Sequence, residues 1–196
     1  MVSDEDVFMS EKEKMLSGEW YEPIFDEELV SERAKIKDLC HEYNSLAPSD
    51  EQSRIKLIKK ILGKTKNRVC IEPHFYCDYG YNIEVGENFY INHNCVILDC
   101  AKVTFGDNVF IGPNCGFYTA VHPLDFKSRN AGLEMAKPIK TGNNVWIGGG
   151  VTVLPGVTIG DNSVIGAGSV VVKDIPDNVV AAGSPCRVVK KIEQGE

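Results

Sequence analysis

One stretch of the sequence, residues 119–138 with the letters TAVHPLDFKSRNAGLEMAKP, places an imidazole among carboxylates. Histidine has an unperturbed pKa of about 6.5, so His122 could take a proton from a reacting group and return it at neutral pH. A neighbouring carboxylate or carbonyl can hold such a ring in one tautomer, which makes it a better base. Within HPLD, Asp125 is better suited to shaping the turn. The stretch therefore indicates general acid–base chemistry if the fold presents His122 to a substrate.

The other histidines and the cysteines carry weaker signals. His41 falls in a predicted helix, and His74 and His93 fall in the repeat described below, where a structural or surface role fits their spacing. No two cysteines form a CxxC pair, so neither a structural zinc site nor a disulfide framework is indicated. We expect small buried thiols in a reducing cytoplasm. The seven cysteines are Cys40, Cys70, Cys77, Cys95, Cys100, Cys115 and Cys186.

Composition and charge argue against several kinds of partner. The chain has 196 residues, of which 43% are hydrophobic and 25% charged, and its formal net charge is −7. This acidic balance argues against general affinity for nucleic acid or anionic membrane, and no apolar run approaches the length of a membrane span. The first residues, MVSDEDVFMSEKEK, lack the apolar core of a secretory signal, so we expect a cytoplasmic protein.

Residues 1–63 are predicted to form an N-terminal helical segment. Ser10 and Glu13 make a capping box for a first helix, Asp26 can cap a second, and Ser49 opens a third. Amphipathic helices of this kind must pack against another part of the chain. The predicted buried face of the second helix is Leu29, Val30, Ala34, Leu39, Tyr43 and Leu46.

From residue 83 onward, the sequence repeats with a period of six. The first position of each hexad, its opener, is apolar, and the fifth is small or apolar. Openers Phe117 and Ile147 stand thirty residues apart, five full periods, so residues 119–138 are predicted to be a loop inserted in phase. The openers are Val85, Ile91, Ile97, Phe105, Ile111, Phe117, Ile147, Val153, Ile159, Ile165 and Val171.

This period predicts a stacked coil of short strands. A helical face repeats every 3.6 residues, whereas a hexad rich in Gly, Asn and β-branched residues fits a short strand followed by a corner. Three such sides close a coil of about 18 residues, and successive coils stack at about 4.8 Å around one narrow core. We therefore expect a mainly β parallel β-helix over residues 64–185, preceded by the helical segment and followed by a C-terminal tail, residues 186–196.

The repeats resemble a known family. IGDNSVIGAGSVV and NNVWIGGGVTVLPGVTIG resemble the hexapeptide-repeat acyltransferases, whose coil is a left-handed parallel β-helix. EKEKMLSGEWY, EPHFYCDYGYNIEVGENFYIN, YTAVHPLD with RNAGLEMAKPI, and VAAGSPCRVVKKI are similar to the maltose/galactoside O-acetyltransferase family across nearly the whole chain. The resemblance implies direct transfer of an acetyl group from acetyl-CoA to a sugar hydroxyl in a ternary complex, with no metal. It also implies a homotrimer whose active sites lie between neighbouring prisms. The inserted loop should then reach an adjacent subunit.

The resemblance assigns catalytic roles to three residues. His122 in TAVHPLD matches the family's base, and Glu134 matches a glutamate that would orient the imidazole. Asn92 in YINHN matches an asparagine whose amide donates to the oxygen that becomes negative during transfer. Glu134 as a solvated loop carboxylate and Asn92 as a corner residue of the coil remain open alternatives.

The resemblance also implies contacts to the acceptor. Asp78 in CDYGYN, Asp26 and Asn92 match residues that contact sugar hydroxyls. Trp146 would wall the acceptor or pantetheine site, because on the outer position of a hexad it would otherwise be exposed apolar surface. Cys100 stands where galactoside-type members carry an acidic ligand, which favours the maltose branch.

Coenzyme A is expected along a flat prism face and at the basic C-terminus. Small corner residues leave backbone exposed for the pantetheine, and basic residues after AAGSPC can meet phosphates. Tight corners and a solvated basic tail would use the same residue types, so those readings stay open. The predicted strip is Gly149, Ala167, Val172, Lys173, Arg187 and Lys190.

Three rival functions fit the sequence less well. A γ-type carbonic anhydrase uses the same prism but needs an H-x4-H pair for zinc, and the partner position of His122 is Phe117. A covalent acyl-cysteine is disfavoured because Cys95 and Cys115 occupy the core-facing fifth position of hexads. A non-enzymatic scaffold would have no need for these motifs together. An acyltransferase with a non-sugar acceptor remains an alternative.

Overall fold

A three-sided parallel β-solenoid forms the body of the protein. The computed structural model describes residues 9–193, so residues 1–8 and 194–196, the outer ends of the predicted helical segment and tail, lie outside the described residues. Strands from successive coils pair in parallel to form three sheets, one for each side of the prism. This arrangement confirms the predicted fold class. No helix in the described part of the chain is both long and apolar enough to cross a membrane.

Three helices precede the coil: α1 (Glu11–Ser17), α2 (Glu27–Ser45) and α3 (Glu51–Ile61). Helix α1 begins at the predicted capping box, in which the Glu13 amide donates to Ser10 Oγ at 3.2 Å and the Ser10 amide donates to the Glu13 carboxylate at 2.7 Å. Helix α2 begins at Asp26, whose Oδ1 accepts from the Leu29 amide at 2.9 Å. These short-range caps were readable from the sequence because they depend on residues only three positions apart.

Two details of the helical prediction are wrong. The cap of α3 is Asp50 rather than Ser49, because the Asp50 carboxylate accepts from the Ser53 amide at 3.1 Å. On α2, Val30 and Ala34 are exposed. The side chains that α2 buries follow spacings of seven, four and three residues, which suit a helical period of 3.6 better than the predicted set. They are Leu29, Ile36, Cys40 and Tyr43.

The strands alternate among three faces of the prism. The first face holds β1 (Val69–Ile71), β4 (Phe89–Ile91), β7 (Phe110–Ile111), β12 (Trp146–Ile147), β15 (Val164–Ile165), β17 (Val179–Ala182) and, at its edge, β18 (Arg187–Lys191). The second face holds β2 (Phe75–Cys77), β5 (Cys95–Leu98), β8 (Gly116–Tyr118), β13 (Thr152–Val153) and β16 (Val170–Val171). The third face holds β3 (Ile83–Val85), β6 (Val103–Phe105), β11 (Ile139–Thr141) and β14 (Thr158–Ile159).

The predicted openers form the core of the prism. All of them point inward, and none is more than 4% exposed. On the third face, Thr141 pairs with Phe105 on one side and with Ile159 on the other. The first pair spans 36 residues and the second 18, so one extra period of 18 residues is inserted between β6 and β11 without loss of register. The insertion is in phase, as predicted.

One corner of the prism is highly regular. Where the third face turns into the first, each coil has an asparagine with φ between 55° and 57°, a left-handed conformation that asparagine tolerates better than most residues. Four hydrogen bonds of 2.9–3.0 Å join the five side chains, each from Nδ2 of one asparagine to Oδ1 of the next. We call this row the asparagine corner. Its members are Asn88, Asn108, Asn144, Asn162 and Asn178.

The inserted loop, residues 119–138, has structure of its own. It contains β9 (Ala120–Val121), the short helix α4 (Phe126–Asn130) and β10 (Met135–Ala136), and β9 pairs antiparallel with β10. Asp125 caps α4 by accepting from the Ser128 amide at 2.8 Å, which is the turn-shaping role expected from HPLD.

The C-terminal residues continue the first face. Residues 187–191, within the predicted tail, form β18, which runs antiparallel to β17 with Ala182 opposite Arg187. The basic side chains of this segment therefore stand on a strand whose backbone is paired.

Candidate active site

The irregular turns of the coil all fall at the corner between the second and third faces. We call this the site corner and define it by residues 78–82 after β2, residues 99–102 after β5, and the inserted loop after β8. The two-residue slip in the hexad pattern falls in the second of these turns. Because the three turns stack on one another, the side chains that interrupt the repeat are gathered at one place on the prism surface.

His122 stands at the end of β9 with its side chain 53% exposed. Its Nδ1 lies 3.2 Å from the Leu133 carbonyl oxygen, a contact in which the protonated Nδ1 donates. That tautomer leaves Nε2 as the basic nitrogen, and Oε2 of Glu134 lies 3.7 Å from it. The carbonyl of Leu133, rather than the Glu134 carboxylate, thus makes the closer orienting contact. A main-chain carbonyl has no sequence signature, which is why the motif alone did not reveal it.

Glu134 is held by the N-terminal segment. Its side chain is only 13% exposed, and Oε1 accepts a hydrogen bond from the Tyr21 hydroxyl. The backbones of the two residues also pair, because the Tyr21 amide donates to the Glu134 carbonyl at 2.8 Å and the Glu134 amide to the Tyr21 carbonyl at 2.9 Å. Glu134 is therefore not a freely solvated loop carboxylate.

A polar cavity of 260 Å³ opens beside Glu134. Its charged walls are Asp78 and Glu134 on the acidic side and Arg33 and Lys37 on the basic side, and Cys100 also lines it. The Arg33 guanidinium donates to the Tyr79 hydroxyl at 2.6 Å, which fixes it in the wall. Carboxylates and cations in one small cavity suit a ligand with several hydroxyl groups. Arg33 and Lys37 were missed from the sequence because they lie on α2, far along the chain from the loop.

The buried carboxylate of Asp99 organises the acidic wall. Its Oδ1 accepts from the backbone amides of Asp78 at 3.0 Å and Tyr79 at 2.9 Å. Burial raises the pKa of Asp99 to about 6, an effect that these amide donors partly oppose. Burial also raises the pKa of Asp78, whose Oδ2 accepts from the Cys100 thiol at 3.6 Å. The pKa of the Cys100 thiol is itself raised by burial and by the nearby carboxylates, so it remains protonated at neutral pH.

Asn92 lies at a different corner, between the first and second faces. Its side-chain Oδ1 accepts from the His93 amide at 2.7 Å, which leaves the NH₂ group as the donor part of the side chain. Two of the predicted coenzyme residues, Gly149 and Ala167, lie in lower turns of the same corner. The turns are joined by a backbone hydrogen bond of 2.9 Å from the Gly168 amide to the Gly149 carbonyl. We call this row the glycine corner.

The remaining predicted coenzyme residues are spread over two other places. Val172 and Lys173 are exposed just after β16, and Arg187 and Lys190 are exposed on β18. Trp146 is 59% exposed on the first face, in register with Phe110 and Val164. None of these residues lines the cavity beside Glu134.

Of the predicted acceptor contacts, Asp78 lines the cavity, whereas Asn92 and Trp146 lie elsewhere on the prism and the Asp26 carboxylate caps α2. Pro23 and Ile24 of the same linker line the cavity instead. Between residues 9 and 193, no group of three or more His, Cys, Asp or Glu side chains could hold a metal ion.

A solenoid of hexads with an oriented imidazole on an inserted loop defines an acyltransferase of the hexapeptide-repeat class. Residues 138–173 match the family model described as bacterial transferase hexapeptide (six repeats), and residues 14–66 match the maltose acetyltransferase hexapeptide capping motif.

Proteins similar to this chain narrow the class. A maltose O-acetyltransferase from Clostridium difficile 630 superposes with a TM-score of 0.93 and 52% identity, covering 95% of this chain and 99% of that one. A galactoside acetyltransferase in complex with coenzyme A superposes with a TM-score of 0.91 and 46% identity, covering 95% and 92%. A Saccharomyces cerevisiae relative, YJL218W, which is named only provisionally as an acetyltransferase, is 55% identical over 93% of both chains. The chain belongs to the maltose/galactoside O-acetyltransferase family.

Proposed function

We propose that this acetyltransferase moves an acetyl group from acetyl-CoA directly to a hydroxyl of a sugar. The observation that carries the proposal is the arrangement at the site corner, where Nε2 of an oriented imidazole lies 3.7 Å from Glu134, a residue that lines a polar cavity of 260 Å³. Membership of the family and the coenzyme A bound to the similar galactoside enzyme support the donor. The mixed carboxylate and cationic walls support a polyhydroxylated acceptor.

His122 is proposed as the general base. A thiolate leaves a thioester readily, so the harder step is activation of the alcohol, which is a poor nucleophile until its proton is removed. Nε2 of His122 takes this proton while Nδ1 keeps its hydrogen bond to the Leu133 carbonyl. The protonated ring then returns the proton to the departing sulfur. Positioned base catalysis of this kind contributes roughly 10²–10⁴ in rate.

Asn92 is proposed to stabilise the charge that develops on the acetyl carbonyl oxygen. Its Oδ1 is engaged by the His93 amide, so its NH₂ group is the part available to a ligand. A preplaced donor of this kind costs little reorganisation during the reaction.

The residues present fit coenzyme A as a co-substrate. The glycine corner at Gly149 and Ala167 leaves a low surface for the pantetheine, and Lys173, Arg187 and Lys190 are exposed cations suited to phosphates. When bound, acetyl-CoA supplies the activated acetyl group. We also propose that Val172 and Trp146 contact the coenzyme or the acceptor as exposed apolar surface.

Transfer through an acyl-cysteine is disfavoured by the thiols themselves. Cys95 and Cys115 point into the core, where their thiols donate to the carbonyls of Gly112 and Gly148 at 3.4 and 3.2 Å. The Cys100 thiol stays protonated for the reasons given above. All seven cysteines are free thiols, and six are buried as expected, whereas Cys70 is exposed. We propose that the protein acts in the cytoplasm.

We further propose a homotrimer whose sites lie between neighbouring prisms. His122 belongs to the corner between the second and third faces, whereas Asn92 belongs to the corner between the first and second. Residues at different corners of one prism meet most simply when one chain supplies His122 and its neighbour supplies Asn92.

Mixing two inactive variants tests this arrangement. In trimers that contain both His122→Ala and Asn92→Ala chains, some interfaces pair an intact His122 with an intact Asn92. Random mixing should restore about a quarter of the wild-type activity. If both residues act within one chain, no site is intact and the mixture stays inactive, which would contradict shared sites. Sedimentation of the wild type as a monomer would do so as well.

The acceptor is tested by following free thiol release from acetyl-CoA over a panel of sugars. We expect thiol release that depends on a sugar and yields its O-acetyl ester, identified by mass spectrometry. If amines or non-sugar alcohols stimulate thiol release and no sugar does, the sugar acceptor is wrong and the protein is an acyltransferase with a different class of acceptor.

A further inference from the structure

The N-terminal segment reaches into the site through one side chain. Tyr21 is fully buried, and its hydroxyl donates to Oε1 of Glu134, a residue 113 positions along the chain. The backbones of Tyr21 and Glu134 form an antiparallel β-bridge. Glu134 directly precedes β10, which pairs with β9. Tyr21 packs with Met15, Leu29 and Ala136, so its ring is fixed as well as its hydroxyl.

We propose that Tyr21 is a positioning residue, which holds one oxygen of Glu134 so that the other faces the imidazole of His122. This inference rests on the proposed function, in which His122 is the base. It gives the N-terminal segment a role in catalysis beyond covering the end of the coil.

The geometry divides the two carboxylate oxygens between two partners. Oε1 is engaged by Tyr21, and Oε2 lies 3.7 Å from Nε2 of His122. A glutamate side chain has three rotatable bonds, so a carboxylate held at one oxygen keeps an orientation that a free one would lose. Oε2 is then in place to stabilise the imidazolium that forms when His122 takes the proton.

The chemistry of the phenol supports a permanent donor. Burial, followed by the influence of Cys100 and Glu134, raises the pKa of Tyr21 well above its ordinary value, so the hydroxyl keeps its proton at every working pH. Without this donor, the ionised form of a largely buried carboxylate loses a charge-assisted hydrogen bond. The other titratable and charged groups that share the cavity with Glu134 are Arg33, Lys37, Asp78, Tyr79 and Cys100.

The test compares Tyr21→Phe with Tyr43→Phe in the active enzyme. Tyr43 is also buried, and its hydroxyl donates to the Ile71 carbonyl between α2 and β1, so its replacement removes a buried phenol away from the site. We expect Tyr21→Phe to lower kcat roughly tenfold, with little change in the KM for acetyl-CoA. Because Oε2 would no longer be held beside the imidazolium of His122, the acidic limb of the pH–rate profile of Tyr21→Phe should move to lower pH. Tyr43→Phe should leave both kcat and the profile unchanged.

A double-mutant comparison separates positioning from packing. If Tyr21 acts through Glu134, adding Tyr21→Phe to Glu134→Gln should lower kcat by less than about twofold further. An equal loss in both backgrounds, or an unchanged kcat and profile in an active Tyr21→Phe enzyme, overturns the positioning role and leaves the proposed function standing. If the wild-type protein binds acetyl-CoA but transfers acetyl to no acceptor, both the proposed function and the positioning role of Tyr21 are wrong.

A second variant covers the case in which Tyr21→Phe does not fold. Replacing Tyr21 by 3-fluorotyrosine keeps the ring and the hydroxyl but makes the hydroxyl a stronger donor. The acidic limb of the pH–rate profile should then move to higher pH. An unmoved limb overturns the inference.

Discussion

Two corners of the same prism are built from the same kind of repeat and do opposite things. At the asparagine corner, five coils repeat one residue in one conformation, and each amide donates to the next. At the site corner, the first two turns are each two residues longer than a regular hexad, and the third carries the inserted loop. At the regular corner, side-chain amides are paired with one another from coil to coil. The irregular one leaves an imidazole, carboxylates and a cavity facing outward.

The contrast shows how a repeat can acquire a site without losing its core. The inserted residues leave the prism after Thr119 and return at Ile139 in register, so the openers on either side stay buried. The site corner thus carries the functional residues, and the asparagine corner contributes to stability. Substitution of His122 at the site corner should therefore change activity, whereas substitutions at the asparagine corner should change stability.

The largest expected effect is that of His122→Ala. We predict a fall in kcat of roughly 10²–10⁴, because the base is lost. The unfolding temperature should stay unchanged, because the ring is half exposed. Thiol release from acetyl-CoA and thermal unfolding measure the two effects. His41→Ala, an exposed histidine on α2, is the matched control. Full turnover by a folded His122→Ala enzyme would show that His122 is not the general base.

The next effect concerns Asp99, where the coil and the site corner meet. Its pKa of about 6 exceeds the ordinary aspartate value, so between roughly pH 4 and 6 the folded state binds more protons than the unfolded state. The free energy of unfolding should therefore fall as pH rises through this window, by at most roughly 3 kcal/mol. Asp99→Asn cannot titrate and should lack this contribution.

The measurement is the difference between wild-type and variant stability at pH 4 and pH 6. Asp107→Asn is the control, because Asp107 is an exposed carboxylate whose pKa is lowered chiefly by its hydrogen bond to Lys66. In Asp107→Asn, the free energy of unfolding should still fall between pH 4 and pH 6, as in the wild type. If the free energy of unfolding of Asp99→Asn falls by the same amount, the buried carboxylate of Asp99 is not the cause of the pH dependence.

At the asparagine corner, Asn144→Ala should lower stability and spare activity. The residue has a φ of 55°, and it joins Asn108 and Asn162 through hydrogen bonds of 3.0 and 2.9 Å. Strain and two lost hydrogen bonds predict a loss of about 1–3 kcal/mol in the free energy of unfolding. Asn144→Gly relieves the strain but not the lost hydrogen bonds, so it should cost less. Equal losses for the two variants would show that backbone strain contributes nothing there.

The sequence predicted local features of this fold better than distant ones. The period of the openers, the cap at Asp26 and the in-phase insertion all depend on residues close together, and the structure confirms them. The prominence of His122 followed from the break in the repeat. Even so, the cap of α3 was placed one residue early, because Ser49 and Asp50 both have side chains that can cap a helix.

The parts of the site that the sequence did not predict are contacts between distant segments. Tyr21 meets Glu134, and Arg33 and Lys37 meet Asp78, only because the N-terminal segment folds back over the site corner. No periodicity or motif spacing marks such pairs. The Leu133 carbonyl that orients His122 is main chain, so its residue type gives no hint of its role.

The smallest expected effect tests whether the inserted loop needs its own internal structure. Asp125 caps α4 by accepting from the amide and hydroxyl of Ser128, and these contacts lower the pKa of its carboxyl group. Asp125→Ala should loosen α4 and lower kcat by less than about fivefold, because His122 and Glu134 are anchored separately through Leu133 and Tyr21. Asparagine caps helices about as well as aspartate, so Asp125→Asn should keep full activity. Steady-state kinetics of the two variants decide the matter: a loss as large as that of His122→Ala would mean that the loop positions its histidine as one unit and that the two anchors are insufficient.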